Sequence, residues 1–431
     1  MTASTSASGY GYLVVIHIPY ALAQDGSVLT GAMWVKDLRG MAAHLGRITV
    51  AAPVLPLWQL TPAKAGSFDL ACVARGDPEL TFVPLPYYSS AATFLKSSPR
   101  LVRELARHVR RASIVHIDTG GWPLPPGELA FFFARWMGKR TVLFAGDGAD
   151  PLSRFDEKAS RDRSLPRKLW TRALKTQFRC FCQCAAGGAD LVFFHNPVTE
   201  AHFAKYARRY ETIVRTFVDV ALILSPEQVQ AKLSRLTEHE SLRCIMAGRL
   251  IPMKGVDHAI AALAHARNKG IRATLSVVGN GSEESRLRGQ ARRAGLDSAI
   301  QFIGSVPYGP ELFGLLQAHD VVIVCNLTEE LSRNVLLSMA LGSIVLAYDN
   351  GPMRTVVRHN TNGLLIPRGS VEALGDALAR LATDRRLQGK LLKAGIRTAQ
   401  GYTFEACHAR RAELIRHVTD ASPRHRPSLN D

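Results

Sequence analysis

Apolar positions in this chain follow two patterns that alternate along its length. Short β-branched runs at residues 12–16 and 48–51 have the length of buried strands, whereas apolar residues recur at helical spacing over residues 33–45. A polar loop at 23–27 precedes this helical pattern, and Gly46 follows it where a helix C-cap belongs. The order of strand, loop, helix and strand predicts the start of a parallel α/β sheet.

The same alternation continues through two successive series of predicted strands. The first series continues at residues 80–83, 114–117, 141–145 and 191–194, and the second comprises residues 244–247, 274–278, 301–303, 321–325 and 344–348. A polar, weakly periodic stretch separates the two series. We therefore predict an α/β fold with two doubly wound Rossmann-like domains that face each other across a cleft.

The domain boundaries are placed where this periodicity changes. The predicted parts are an N-terminal domain at residues 1–224, a linker at 225–241, a C-terminal domain at 242–402 and a terminal helix with a tail at 403–431. The terminal helix is a candidate to cross back to the N-terminal domain. Since ligands of doubly wound sheets bind at the carboxyl ends of strands, the loops that follow strands are the expected location of any chemistry.

Composition narrows the class of protein. The length of 431 residues and the apolar share of 47% allow each domain its own core. The chain has no apolar run long enough to span a bilayer and begins with a polar stretch, so we expect no secretory signal and a cytoplasmic location. Cys180, Cys182 and Cys184 lie two residues apart, which is not the usual zinc spacing. We therefore predict small buried helix residues there and no metal site.

The formal net charge of +18 implies an anionic partner, namely nucleic acid, an anionic lipid surface or a phosphorylated substrate. No nucleic-acid-binding motif accompanies the charge, so nucleic acid is not expected. Basic and apolar residues interleave over residues 154–179 and again over 100–111. Each segment is either an amphipathic helix that lies peripherally on the inner face of a membrane or a core-packed helix with a solvated basic face.

Three predicted loops join a strand to a helix and carry polar residues. The first, residues 248–255, contains Gly248, Arg249 and Lys254. Its glycines allow close backbone approach, the helix N-terminus attracts an anion, and the two cations suit a diphosphate. The alternative is a solvated loop with two ordinary surface cations.

The second and third loops add further candidate donor-binding residues. At Gly279 and Asn280 the backbone is either approached by a nucleotide or forms a tight turn. The third loop contains Glu329, Ser332 and Asn334, and backbone N–H groups at the start of its helix suit phosphate oxygens. Glu329 either accepts hydrogen bonds from sugar hydroxyl groups or only complements the helix N-terminus.

Taken in order, these loops resemble the signatures of GT-B glycosyltransferases of the family-4 type, which are retaining enzymes that use nucleotide-sugars. Residues 302–304 and 362–367 extend the resemblance, which covers about residues 244–381. It implies that Arg249 and Lys254 bind the donor diphosphate and that Glu329 faces the sugar. The N-terminal half resembles the family only in the arrangement of its predicted strands, helices and loops.

The chain departs from the family pattern at two places. Where the family has a second glutamate that contacts the ribose, this chain has Leu337, whose side chain accepts no hydrogen bond. Either Ser338 or a neighbour takes over this role, or the nucleotide is held differently, or activity is weakened. After Tyr348 the family has Gly-Gly-x-Pro-Glu, whereas residues 350–354 here are Asn-Gly-Pro-Met-Arg.

In the N-terminal half, Asp118 and Asp147 resemble family residues near the reaction centre. Asp118 stands in place of the second histidine of an H-x-H segment, and Asp147 matches the aspartate of a His-Asp pair. Both follow predicted strands, so they are either catalytic or loop-capping aspartates, whereas His116 is expected to pack in its strand. Gly31, or alternatively Gly26, would let the backbone approach the donor phosphate, unless it forms a simple turn.

The resemblance implies an enzyme that transfers a sugar from a nucleoside diphosphate to a glycan or lipid-linked acceptor with retention of configuration. The nucleotide-sugar is a substrate, and no separate cofactor is expected. Cations and helix dipoles can neutralise the leaving diphosphate, so no metal is expected. A second hypothesis is a binding or scaffold protein in glycan assembly, which Leu337 would favour, and a third is a sugar-nucleotide epimerase of the same architecture.

Overall fold

A computed structural model describes residues 10–61, 64, 69–119, 125–145, 152, 155, 164–238 and 241–420 of the chain. The strands are β1 Tyr10–Val15, β2 Ala21–Leu22, β3 Val28–Gly31, β4 Ile48–Val54, β5 Leu70–Val73, β6 Leu80–Pro86, β7 Ala112–Asp118, β8 Arg140–Ala145, β9 Leu191–Phe194, β10 Tyr210–Thr212, β11 Leu242–Ala247, β12 Ala273–Val278, β13 Ile300–Gly304, β14 Val321–Val324, β15 Ile344–Tyr348 and β16 Gly363–Ile366.

The helices between these strands cover the faces of the sheets. They are α1 Ala32–Leu45, α2 Ala91–Arg111, α3 Pro126–Trp136, α4 Leu165–Gly188, α5 Pro197–Phe203, α6 Pro226–Glu238, α7 Val256–Asn268, α8 Glu284–Arg293, α9 Pro310–Ala318, α10 Asn334–Ala340, α11 Gly351–Arg354, α12 Val371–Thr383, α13 Arg385–Gln400 and α14 Phe404–Asp420. Every residue of β9, β14 and β15 is buried, as expected of parallel strands with helices on both faces.

The described chain folds as two compact units, and each contains one parallel sheet. The first unit comprises the chain up to His195, Thr199–Ile213 and the chain from His408, and the second comprises Asn196–Val198 and Val214–Cys407. The predicted fold class is confirmed, because both sheets are doubly wound.

Strand order reverses beside the first strand of each sheet. The first sheet has the order β10-β9-β8-β7-β1-β4-β6, so the chain leaves β1 toward β4 and later returns to β7 on its other side. The second has the order β13-β12-β11-β14-β15-β16, with the same reversal between β11 and β14. The carboxyl ends at these two reversals are where doubly wound sheets bind ligands.

A small antiparallel sheet in the first unit was not predicted. Its strands β2, β3 and β5 pair in that order, and the predicted polar loop at 23–27 is the turn of its hairpin. Gly26 occupies that turn with a φ of 81°, which a residue with a side chain rarely adopts. Gly26 therefore has a turn role.

The second unit begins earlier than the predicted C-terminal domain. Val218 and Leu224, which the sequence assigned to the first domain, pack into cores of the second unit. The predicted linker contains α6, whose Lys232 is buried and donates to the carbonyl oxygens of Gln317 and His319. Burial lowers the pKa of Lys232 to about 7. This segment is thus part of the packed second unit.

The terminal helix α14 begins in the second unit, and from His408 onward it belongs to the first. Its buried Arg411 donates to Asp37 of α1 at 2.9 Å, and His408 lies 3.1 Å from the same carboxylate. The Arg411 guanidinium also lies 4.6 Å from the centre of the Phe144 ring. The helix is therefore joined to the first unit by a buried ionic cluster.

Replacing Arg411 with Met should destabilise this cluster, because the Asp37 carboxylate stays buried without its guanidinium partner. We expect the free energy of unfolding to fall by about 3–5 kcal/mol in a urea titration followed by tryptophan fluorescence. The double variant Asp37→Leu/Arg411→Met removes both charges and should recover part of the loss. A double variant that is no more stable than Arg411→Met would contradict this explanation.

Candidate functional site

The predicted donor loops meet at the strand-order reversal of the second unit. Gly248 follows β11, and the loop after β14 leads to Asn334 at the start of α10. The Asn334 side chain donates to the carbonyl oxygen of Ala247 at 2.7 Å and so joins the two loops. Ser332 lies in the same loop and is half-buried.

The two predicted phosphate-binding cations have different surroundings. Lys254 ends the short turn Pro252–Lys254 and donates to the carboxylate of Glu330, which also accepts from the Asn326 amide at 2.8 Å. Arg249 is exposed. A bound diphosphate would compete with Glu330 for Lys254, whereas Arg249 already faces solvent.

Glu329 is held by groups outside its own loop. One carboxylate oxygen accepts from the Gly351 N–H at 3.0 Å, and the other accepts from Arg368 at 2.8 Å. Arg354, at the second departure from the family pattern, pairs with Asp349 at 2.7 Å, and this hydrogen bond lowers the pKa of Asp349. Glu329 thus connects the loop after β14 to the loop after β15 in addition to lying near α10.

Two glycines allow the strand-end loops to approach each other closely. A Cβ atom on Gly279 would clash with the carbonyl oxygen of Gly248, and its φ of 132° also requires glycine. A Cβ atom on Gly255 would clash with the carbonyl oxygen of Cys325. The backbone of Asn280 accepts from Leu250 at 2.8 Å, and its side chain is exposed. Close packing of the loops is therefore sufficient to explain why positions 279 and 255 are glycines.

The position of the family's ribose-binding glutamate does not face solvent. The side chain of Leu337 is 2% exposed and belongs to a hydrophobic core. Ser338 is fully buried, and its hydroxyl group has no hydrogen-bond partner among the described residues. Neither side chain is placed to hold a ribose at the surface.

In the first unit, Asp118 ends β7 beside the reversal of strand order. Its carboxylate lies 2.7 Å from Nδ1 of His17, a half-exposed residue that follows the neighbouring strand β1. The other carboxylate oxygen is buried and has no hydrogen-bond partner among the described residues. His17 was not predicted from the sequence, because nothing in the loop after β1 marks it until the strands are paired.

The remaining candidates of the N-terminal half have simpler surroundings. His116 is buried, bonded to the Tyr12 hydroxyl at 3.1 Å and stacked on Phe144, and burial lowers its pKa to about 3. It is a packed strand histidine. Gly31 directly precedes α1 with an ordinary extended backbone, which any residue could adopt. Asp147 lies outside the described residues.

Two further arginines of the second unit lie close to the donor loops and were not singled out from the sequence. Arg333 directly precedes α10, and Arg215 lies near the beginning of the second unit. Both guanidinium groups lie near the ring of Phe217. Arg333 could have been suspected from its place in the third loop. Arg215 stands two residues before Phe217, and only the fold brings Arg333 to the same ring.

A metal centre would need several His, Cys, Asp or Glu side chains that lie close together. Within the described ranges, no three His, Cys, Asp or Glu side chains cluster as metal ligands would. The expectation that the three cysteines of α4 are buried is wrong for Cys180 and Cys184, which are exposed, and correct for Cys182. Residues two apart on a helix point in different directions, so only one faces the core.

Two doubly wound units, each with polar loops at the carboxyl edge of its sheet, define the class of proteins with the GT-B fold. The solved structures with this fold include Anabaena HepE in complex with UDP, with a TM-score of 0.65, 16% identity and coverage of 94% of this chain and 100% of that chain. Sucrose-phosphate synthase of Thermosynechococcus elongatus has a TM-score of 0.65, 17% identity and coverage of 96% and 100%.

The family resemblance is confirmed for the second unit, where residues 231–398 match the model described as glycosyl transferases group 1. A D-inositol 3-phosphate glycosyltransferase of Kribbella flavida is 30% identical over 45% of this chain and 47% of its own length. A GDP-mannose-dependent phosphatidylinositol monomannoside mannosyltransferase of Mycobacterium tuberculosis is 28% identical over 53% and 62%. The chain spans about half the length of these relatives, or somewhat more. No helix among the described residues is long and apolar enough to cross a membrane.

Replacing Gly279 with Ala should disrupt the contact between the loops after β11 and β12. The clash with Gly248 and the strained φ should together lower the free energy of unfolding by more than about 2 kcal/mol, measured by chemical denaturation. Gly314 in α9 has open space around it, so Gly314→Ala should be neutral or stabilise by about 0.5–1 kcal/mol. Equal stabilities of the two variants would show that the loops do not depend on this contact.

Proposed function

We propose that this protein is a glycosyltransferase that moves a sugar from a nucleoside-diphosphate donor to a glycan or lipid-linked acceptor, with retention and without a metal. The observation that supports it most is the ion pair of Lys254 and Glu330, which joins the loops after β11 and β14 at the strand-order reversal of the second unit, in a segment that matches a glycosyltransferase family. Cations at that position can stabilise the charge that develops on a leaving diphosphate.

We assign the donor to the second unit. The loops after β11 and β14 would bind the diphosphate through Arg249, Lys254 and backbone N–H groups, with Asn334 holding the loops together. Lys254 would exchange its partner Glu330 for a phosphate oxygen. Glu329, which the family resemblance directs toward the sugar, is kept in place by Gly351 and Arg368.

The acceptor is proposed to bind the first unit, where Asp118 and His17 lie at the strand-order reversal between β1 and β7. Relatives are named for D-inositol 3-phosphate, 2-deoxystreptamine and a phosphatidylinositol mannoside, so polyhydroxylated ring acceptors are the first to test. A scaffold role without catalysis is the second candidate function, because Leu337 replaces the ribose-binding glutamate.

Lys254→Ala should weaken binding of the donor nucleotide, since it removes one charge-assisted hydrogen bond to the diphosphate. We expect a loss of about tenfold to a hundredfold in calorimetric titrations with UDP, GDP, UDP-glucose and GDP-mannose. The matched control is Lys390→Ala, which removes an exposed lysine of α13 and should bind as the wild type does. A wild-type protein that binds none of the four ligands would contradict the proposal that this chain binds a nucleotide donor.

Assays with the same nucleotide-sugars distinguish a glycosyltransferase from a scaffold protein and from an epimerase. Transfer from UDP-glucose or GDP-mannose to D-inositol 3-phosphate or 2-deoxystreptamine, detected by mass spectrometry in the presence of EDTA, is the outcome that supports a metal-independent transferase. Nucleotide binding without a product on any acceptor would favour a scaffold. Conversion of the donor sugar without an acceptor would indicate an epimerase.

We further propose that the N-terminal half of α4 lies on an anionic membrane surface in the cytoplasm. The buried residues of this helix, such as Phe181 and Ala185, belong mainly to its C-terminal half. Earlier in the helix, Leu165, Leu169 and Trp170 expose 68%, 55% and 56% of their surface beside basic side chains. Exposed apolar and basic residues on one helix are the composition of an interfacial element.

Vesicle binding tests this membrane proposal. The protein should sediment with vesicles that contain phosphatidylglycerol and not with pure phosphatidylcholine vesicles, and added salt should release it. Leu169→Ser/Trp170→Ser should weaken binding by about tenfold, because less apolar surface is buried. Trp58→Ser changes a tryptophan that is 81% exposed outside this helix and serves as the control. Equal binding of the wild type and both variants to the vesicles would show that α4 is not the membrane-binding element.

A further inference from the structure

The outward face of α13, in the second unit, carries a row of cations. Its four exposed charged residues are Arg386, Lys390, Lys393 and Arg397, and separations of four, three and four residues place them on one side of the helix. Leu391 and the other apolar residues of α13 are buried on the opposite side. At a rise of about 1.5 Å per residue, the four cations form a basic stripe about 16 Å long.

The basic stripe is not neutralised by neighbouring carboxylates. None of its four side chains forms a hydrogen bond or an ion pair with another residue in the part of the chain that the structure describes, and residues 385–404 contain no Asp or Glu. On α8, by contrast, the exposed Arg286, Arg288 and Arg292 each pair with a carboxylate. The stripe therefore presents its full positive charge to solvent.

The basic stripe does not stabilise the helix that carries it. Arg386 lies in the first turn of α13, where a cation opposes the helix dipole. Arg386 and Lys390 are like charges four residues apart, as are Lys393 and Arg397, and such pairs repel each other. The folding of α13 therefore gives no reason for the four cations.

A neighbouring loop adds another cation beside the end of the stripe. The Asn362 amide donates to the hydroxyl of Thr398 at 2.8 Å, and the Asn362 carbonyl oxygen accepts from the backbone N–H of Arg358 at 2.6 Å. The loop that carries the exposed Arg358 is thereby fixed to the C-terminal end of α13, where Arg397 lies. Positive charge thus continues from the helix to this loop.

We propose that the basic stripe is a contact for an anionic membrane surface, in which lipid phosphate groups pair with the four cations and no side chain inserts into the bilayer. Clusters of four or more Lys and Arg on one helix face are attracted to anionic headgroups. No large apolar or aromatic residue of α13 is exposed. The stripe therefore lacks the rings on which the bases of a nucleic acid would stack and the apolar side chains that would enter a bilayer.

This contact differs from the one proposed for α4. It lies in the second unit, consists of charge alone and depends neither on the donor chemistry nor on α4. A purely electrostatic contact of this kind is readily reversed by salt, because the exposed charges are screened.

The first test is sedimentation of the full chain with vesicles that contain phosphatidylglycerol and phosphatidylcholine. The variant Arg386→Gln/Lys390→Gln/Lys393→Gln/Arg397→Gln should bind about a hundredfold more weakly than the wild type. Its matched control loses the same charge from α8 and should bind within about threefold of the wild type. The control replaces with Gln the four exposed arginines of that helix, Arg286, Arg288, Arg292 and Arg293.

The thermal midpoint checks that the stripe variant is folded. All four replaced side chains are exposed, and their mutual repulsion is lost, so the midpoint should equal or exceed that of the wild type. Equal weakening of vesicle binding by the stripe variant and by the α8 control would overturn the inference, because net charge alone would then explain the effect.

The second measurement locates the contact in the wild-type protein. On phosphatidylglycerol vesicles, chemical acetylation of Lys390 and Lys393, followed by mass spectrometry, should be at least about fivefold slower than in solution. Lys269, an exposed lysine of α7, should react equally fast in both.

The outcomes separate this inference from the other proposals. Unchanged reactivity of Lys390 and Lys393 on vesicles, with wild-type binding by the stripe variant, would overturn the inference and leave the proposed contact of α4. A wild type that binds nucleotide-sugars but no vesicles would overturn both membrane contacts and leave the proposed transferase. Protection of both lysines in a protein that binds no nucleotide would support the stripe and contradict the proposed donor.

Discussion

A parallel sheet whose strand order reverses leaves a gap at its carboxyl edge, because the two crossover connections beside the reversal leave on opposite faces of the sheet. Both units of this protein contain such a reversal, between β1 and β7 and between β11 and β14. The candidate residues follow from this constraint. His17 and Asp118 are far apart in sequence, yet they become neighbours because they follow the two strands at the first reversal. Lys254 and Glu330 are brought together in the same way at the second.

The second unit supports its polar residues by backbone packing and by exchangeable ion pairs. Gly255 allows the turn that carries Lys254 to pack against the end of β14, and Asn334 bonds that edge to β11. Lys254 and Glu329 each have a side-chain counter-ion, Glu330 and Arg368 respectively. These pairs restrict the two side chains, so less of their conformational freedom would remain to be lost on binding.

Sequence periodicity predicted the two parallel sheets well, because strands buried on both faces appear as short continuous apolar runs such as those of β9 and β15. The small sheet of β2, β3 and β5 was not predicted, because strands of two to four residues are too short to show an alternation of hydrophobic and polar positions. The loop after β11 was recognisable because its glycines and cations are adjacent in sequence. His17 was not, because its contact with Asp118 is one that only the fold creates. The domain boundary was misplaced because residues 214–224 are joined in sequence to the first domain but pack on the second.

Leu337 connects the packing of the second unit to its chemistry. Every residue of α10 from Val335 to Ala340 is buried, so the helix that follows the third loop is surrounded by core on the face that carries position 337. A glutamate at that position would be a carboxylate in an apolar environment, which costs several kcal/mol unless it is paired. The departure from the family pattern at position 337 is therefore a property of how α10 packs as well as of one side chain. The exposed charge beside α10 therefore lies outside the helix, in the preceding loop, where Arg333 is the last residue before α10.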